Sequence, residues 1–290
     1  VRAAVVSVLG IAAAFSVAAA DLAIQRLALH DYEDGPLIPP GYEYLPGETV
    51  WFSARLTGYA REAVDKDQAL ERVRLSWQVR PADPDGVLLT PPLRGLIEEI
   101  LRPEDKAWNP KFTASFEVPQ YAPRGVYRIP VIVRDEIARR EVTGHIEFRV
   151  RGQEPPPPNA AFGVRNFRFL AREQDRFPLR PPVYPRGAAV FARFDIIGYA
   201  LEGNNRFAVE YGLEVHSAPN AEGAFRRLLS QPAAAAETGE SFYPQRWVPA
   251  GFGFELDPDI PVGTYTVVLS LRDKLSGAMA EFRDTFQVRE

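Results

Sequence analysis

The chain has no cysteine among its 290 residues. That absence excludes disulfides, thiolate metal sites, a cysteine nucleophile and lipid attachment through an N-terminal cysteine. Histidine is scarce. His30, His145 and His216 are the only three, and their spacing assembles no ligand set for a metal. No glycine-rich phosphate loop is present. Gly239-Glu240-Ser241-Phe242-Tyr243 lacks the second glycine of a nucleophile elbow. The expectation is therefore a protein that is not an enzyme and takes no cofactor and no metal. Lysine is rare too, with four against thirty arginines. Those arginines are interspersed with acids, which reads as composition rather than as an anion site. With a net charge of −4 there is no basic footprint, so nucleic acid is not an expected partner.

Only one long apolar run occurs. It lies in 1–20, VRAAVVSVLGIAAAFSVAAA, where Arg2 precedes the run and Ala18-Ala19-Ala20 stands before Asp21. A short basic start, an apolar stretch and small residues are the pattern of a cleaved signal peptide. The expected product is exported to the periplasm, the cell surface or the medium, with no stable membrane insertion after cleavage. The rest of the chain suits a folded protein: 46% of residues are hydrophobic and 25% charged. Proline is plentiful. Its 27 occurrences argue against a mainly helical chain, since an interior proline costs a helix about 3 kcal/mol.

The sequence repeats itself. Gly47 to Ala60, GETVWFSARLTGYA, matches Gly187 to Ala200, GAAVFARFDIIGYA, at an offset of 140. Pro123-Arg124-Gly125-Val126-Tyr127 matches Pro261-Val262-Gly263-Thr264-Tyr265 at 138, and Phe148-Arg149-Val150 matches Phe286-Gln287-Val288 at the same offset. Collinear matches of this kind indicate internal duplication. Between the copies lies 152–159, GQEPPPPN, whose four prolines favour a stiff polyproline spacer. The expected organisation is a signal peptide at 1–20, a first domain at 21–151, a linker at 152–159 and a second domain at 160–290.

Within each copy the hydrophobic period is two, which marks half-buried strands. Val50, Phe52, Ala54 and Leu56 alternate with Trp51, Ser53, Arg55 and Thr57; Val190, Ala192, Phe194 and Ile196 answer them. Tyr127, Ile129, Val131 and Val133 form a second inward row, answered by Tyr265, Val267, Leu269 and Leu271. About seven strands per copy follow from such segments, with a β-sandwich as the architecture. A short helix is expected at 93–101, bounded by Pro92 and Pro103. Pro130 interrupts a strand and is expected at an edge or bulge. Asp83-Pro84-Asp85-Gly86 reads as a turn, with the start but not the remainder of a calcium loop.

On these residues, and on the P-x-G-x-Y turn leading into an alternating strand, each copy resembles the immunoglobulin-like or fibronectin-type-III-like domains found in tandem in exported bacterial proteins. The resemblance implies an all-β fold of two tandem immunoglobulin-like β-sandwiches. Such folds serve adhesion, carbohydrate binding, chaperoning and spacing alike, so the fold does not choose among them.

The candidate binding residues are those that the alternation turns outward. Trp51 and Phe191 occupy matching places, with Arg55 and Arg193 beside them, and an exposed aromatic is a contact residue for sugar or protein. Trp108 and Trp247 recur ahead of equivalent strands and are expected to plug the sandwich ends. The leading expectation is a non-catalytic exported interaction or scaffold module that meets an envelope or extracellular protein. The alternative is a carbohydrate-binding accessory protein whose partner is a polysaccharide. A periplasmic two-domain chaperone ranks below both, because a four-proline spacer suits its bend poorly.

Overall fold

A computed structural model of the protein describes residues 21–219 and 223–290; the expected signal segment 1–20 lies outside the described residues. Every regular element among them is a strand, so the fold is all-β. The first half comprises β1 (Ala23–His30), β2 (Glu43–Tyr44), β3 (Thr49–Thr57), β4 (Glu62–Asp65), β5 (Leu70–Val79), β6 (Leu93–Leu101), β7 (Lys111–Glu117), β8 (Gly125–Asp135) and β9 (Arg140–Val150). The second half comprises β10 (Gly163–Leu170), β11 (Val183–Pro185), β12 (Ala189–Ile197), β13 (Phe207–Ser217), β14 (Arg227–Gly239), β15 (Trp247–Glu255), β16 (Gly263–Asp273) and β17 (Met279–Arg289). The count exceeds seven because of the short strands β2, β4 and β11. Of these, β2 and β11 make brief parallel pairings with β9 and β17.

In the first half a three-stranded sheet, β1-β3-β7, faces a larger one ordered β2-β9-β8-β5-β4, with β6 on the other edge of β5. The second half has β10-β12-β15 facing β11-β17-β16-β13-β14, the same order with β14 in the place of β6 and no counterpart of β4. The inward rows meet between the sheets. Val50, Phe52, Ala54 and Leu56 of β3 share a buried cluster with Leu75 of β5 and with Tyr127, Ile129, Val131 and Val133 of β8. Val190, Phe194 and Ile196 of β12 share another with Tyr265, Val267 and Leu269 of β16. Apolar burial of this kind, at about 25 cal/mol per Å², drives the packing of both halves.

Matching polar anchors recur. Tyr127 donates its hydroxyl to the carbonyl of Pro123 at 2.6 Å, and Tyr265 does so to Pro261 at 2.6 Å. The buried Asp135 accepts from Ala60 N, and the buried Asp273 accepts from Ala200 N. Gly58 and Gly198, each two residues earlier, hold φ of 71° and 73°, a region open to glycine at no steric cost.

Two expectations need correction. Residues 93–101 form strand β6 rather than a helix. The spacing of Leu93, Leu96, Ile97, Ile100 and Leu101 satisfies a helical period, but β5 offers an open edge, and β6 pairs with it from Val79↔Leu93 to Glu71↔Leu101. Tertiary pairing overrides the local pattern. Gly95 belongs to that pairing, since a Cβ there would lie 2.3 Å from the Trp77 ring, which stacks on Phe112. Pro130 sits neither on an edge strand nor at a bulge. It lies in the interior strand β8, opposite His145 of β9, just past the end of the β5 ladder. Its carbonyl still accepts from Arg80 N at 3.1 Å. The proline therefore forfeits only the reciprocal bond, and pairing resumes beyond it at Ala82↔Arg128.

The halves touch through buried polar chemistry. Tyr243 belongs to the second half in sequence yet packs in the buried cluster of the first. Its hydroxyl donates to Asp83 Oδ2 at 2.7 Å, and Arg246 donates to the same oxygen at 2.9 Å and to Asp85 at 2.6 Å. The other oxygen of Asp83 accepts from the backbone N–H of Asp85 and Val87. The Asp83-Asp85 turn thus finds its counter-charge in Arg246. Trp247 is buried and meets Tyr121 edge to face across the same joint. Trp108, its counterpart in the first half, packs on Tyr59, whose hydroxyl bonds the Trp108 carbonyl.

Candidate functional site

Alternation along β12 sends Ala189, Phe191, Arg193 and Asp195 to the outer face of the three-stranded sheet. Their neighbours in register on β15 are Glu255, Gly253, Gly251 and Pro249. Two of these four positions carry no side chain, so β15 leaves a trough beside β12. With Arg168 and Leu170 of β10, and with Tyr211, Ala235 and Glu237 from the facing sheet, they enclose a groove of about 980 Å³.

Glycine is required at the floor. A Cβ on Gly253 would stand 2.9 Å from the Phe191 ring, so the half-exposed ring lies directly on that backbone. A Cβ on Gly251 would stand 2.8 Å from the carbonyl of Ala192. Tyr211 spans the interior to donate its hydroxyl to the Gly251 carbonyl, tying the trough to the core. Burial pushes that hydroxyl above the usual tyrosine range although the bond to Gly251 opposes it.

The polar groups are held in place. Asp195 Oδ2 accepts from the linker side chain Gln153 at 2.5 Å and from Asn166 at 2.8 Å. Asn166 adopts φ of 55° at a bulge, where β10 spends one extra residue between Arg165 and Arg168 against β12. The bulge turns Phe167 inward onto Phe169, Phe194 and Phe282, and brings Arg168 to the groove. Arg193 donates to the carbonyl of Glu173 at 2.6 Å. Arginine, carboxylate and amide groups around one aromatic ring can orient a polar ring-shaped ligand through paired hydrogen bonds.

Of the four residues singled out by alternation, Phe191 and Arg193 line this groove, whereas Trp51 and Arg55 lie on the equivalent face of the first half. The structure does not bring the two pairs together. The first-half face is also built differently. Ser115 and Thr113 stand opposite Trp51 and Ser53, where the second half has glycines. The segment after β1 folds over it: His30 bonds Gly35 O and Ser53 Oγ at 2.8 Å each, and Asp34 pairs with Lys111. Trp51 is half-buried there, and Arg55 is exposed.

Sequence reasoning missed Gly251, Gly253, Asn166, Arg168 and Glu255. One signal was available. Gly251-Phe252-Gly253-Phe254 alternates glycine with phenylalanine, which describes a strand bare on one face and apolar on the other. No protein-family model matches the chain, and no curated protein matches it in sequence. Among the described residues, no helix is long and apolar enough to cross a membrane.

Proposed function

We propose that the chain is a non-catalytic exported binding module, built from two immunoglobulin-like sandwiches that arose by duplication. In this reading the groove around Phe191 meets the partner, an envelope or extracellular protein, and the first half holds the groove at a fixed orientation. The single observation that carries it is the Phe191 ring bedded on Gly253, with Arg193 and Asp195 in register beside it. The matched tyrosine-to-backbone bonds at the start of β8 and β16 support the immunoglobulin-like assignment, since such a corner is a hallmark of those folds. The use of Asp195 as acceptor for two amides supports a positioning role over acid–base chemistry. The apolar segment at 1–20 supports export.

A polysaccharide partner is the second reading, favoured by the same ring. Its accessible face is flat and apolar, as sugar stacking needs, and planar hydrogen-bonding groups surround it. The chaperone reading gains nothing from this groove. Titration of the full chain with a panel of soluble polysaccharides, followed by calorimetry, separates the two. Heat that disappears with Phe191→Ala and with Gly253→Val assigns a polysaccharide. Silence across the panel, with a protein retained from envelope extract by the same residues, assigns a protein partner. Retention that neither substitution alters refutes the groove.

A further inference from the structure

Matching segments of the two halves carry opposite charge. Residues 21–54, which run through β1, β2 and β3, contain six carboxylates against Arg26 alone, a net −5. The equivalent residues 161–194, through β10, β11 and β12, contain seven arginines against Glu173 and Asp175, a net +5. The whole chain is only −4, so these poles are local.

The charges are available. Asp31, Glu33, Asp34 and Glu43 are exposed, as are Arg172, Arg176, Arg180, Arg186 and Arg193. Asp34 is held by Lys111, but Asp31, Glu33 and Glu43 enter no ion pair among the described residues. Among the described residues none of the seven arginines forms one either, whereas Arg61, Arg128, Arg140, Arg246 and others elsewhere are paired. Arg165 and Arg193 donate only to backbone carbonyls, of Glu154 and Glu173.

Apolar groups stand among both sets. On the acidic segment Tyr32, Leu37, Tyr42 and Leu45 are 58%, 50%, 41% and 47% exposed. On the basic segment Phe177, flanked by Arg176 and Arg180, is 83% exposed, the highest of the large hydrophobics described. Aromatic and aliphatic groups within a charged rim are the composition of a protein contact surface.

We propose that the basic segment of one copy docks on the acidic segment of a second copy of this chain. Phe177 enters the apolar surface formed by Tyr32, Leu37 and Tyr42, and Arg176 and Arg180 face Asp31 and Glu33. The two surfaces differ, so the contact is heterologous. The pair keeps one free surface of each kind, and association continues into rings or filaments instead of stopping at a two-fold dimer. Exposed charges are screened within about 8 Å at physiological salt, so assembly weakens as salt rises. This contact does not depend on what the Phe191 groove binds.

Sedimentation of the full chain over a range of concentrations, in low and high salt, is the test. Mass that grows with concentration in low salt and falls back toward a single chain in high salt is expected. Arg176→Glu with Arg180→Glu should abolish the growth, and so should Asp31→Arg with Glu33→Arg. Mixing these two variants in equal amounts should restore association at least to a one-to-one complex, because the intact acidic segment of the first meets the intact basic segment of the second. All these positions are exposed, so folding is spared, and unchanged circular dichroism verifies that. Phe177→Ser should weaken assembly without changing its salt dependence. A single-chain mass under every condition, assembly only after an anionic polymer is added, or a mixture that restores nothing would overturn the proposal.

Discussion

Replacing Tyr243 by alanine should destabilise the half to which Tyr243 does not belong in sequence. Its side chain is 5% exposed and sits in the cluster formed by β3, β5 and β8 of the first half. Removing a buried aromatic ring costs about 3–5 kcal/mol through lost transfer energy and the cavity left behind. The hydroxyl adds to this. It donates to Asp83, whose carboxylate is fully enclosed, and a hydrogen bond to a charged group is worth about 1.5–3 kcal/mol. Asp83 keeps Arg246 and two backbone donors, so Tyr243→Phe should cost only about 1–2 kcal/mol. Tyr243→Ala should cost about 5 kcal/mol, a shift on the order of 10–20 °C in melting temperature. Differential scanning calorimetry of the full chain reads this out. The parent should melt with its halves coupled, and the alanine variant should show an early transition from the first half. Near-ultraviolet circular dichroism of Trp77 and Trp108 assigns it. A loss below about 1 kcal/mol for Tyr243→Ala would mean that the joint does not persist in solution.

Tyr265→Phe removes the bond to the Pro261 carbonyl and should cost about 1 kcal/mol in urea melts of the full chain. Burial disfavours the charged form of Asp273, but the Ser276 hydroxyl and the N–H groups of Ala200, Leu275 and Ser276 outweigh it, holding the carboxyl below its ordinary 3.8. A lowered folded value means stability that is fully present above about 3.8 and lost as pH falls through the folded value. Melts of the parent should therefore decline in acid, and Asp273→Asn should be weaker at neutral pH with a flatter acid limb. Gly253→Val should displace Phe191, abolish ligand binding and leave the melting temperature nearly unchanged, because the ring it displaces lies on the surface.

The inward rows were legible because a period of two leaves little choice. Val50 to Leu56 and Tyr127 to Val133 can bury one face only, and a one-residue slip would expose all of them. Leu93 to Leu101 misled because its apolar residues fit a helix as well as a strand, and only the open edge of β5 decides between the two. Pro130 misled because an interior strand tolerates one missing donor when pairing continues on both sides of it, at Val79↔Val131 and Ala82↔Arg128. Phe191 and Arg193 were readable as outward residues, but the groove was not. What makes it is the absence of side chains at Gly251 and Gly253, and an absence acts only when the neighbouring strand is known. The joint was beyond reach, since Tyr243 and Asp83 are 160 residues apart and local chemistry at Asp83 suggests nothing more than a turn. The opposite charges of the two halves were visible in the letters. They acquire meaning once the same elements are seen to carry them.

The face around Phe191 is the proposed place where this protein meets its partner. Retention from envelope extract on the immobilised full chain, compared across parent, Phe191→Ala, Gly253→Val and Trp51→Ala, tests it most directly. One component, protein or polysaccharide, should be retained by the parent and by Trp51→Ala and lost with both groove variants. Retention that survives both groove variants and fails with Trp51→Ala would contradict it and move the binding face to the first half.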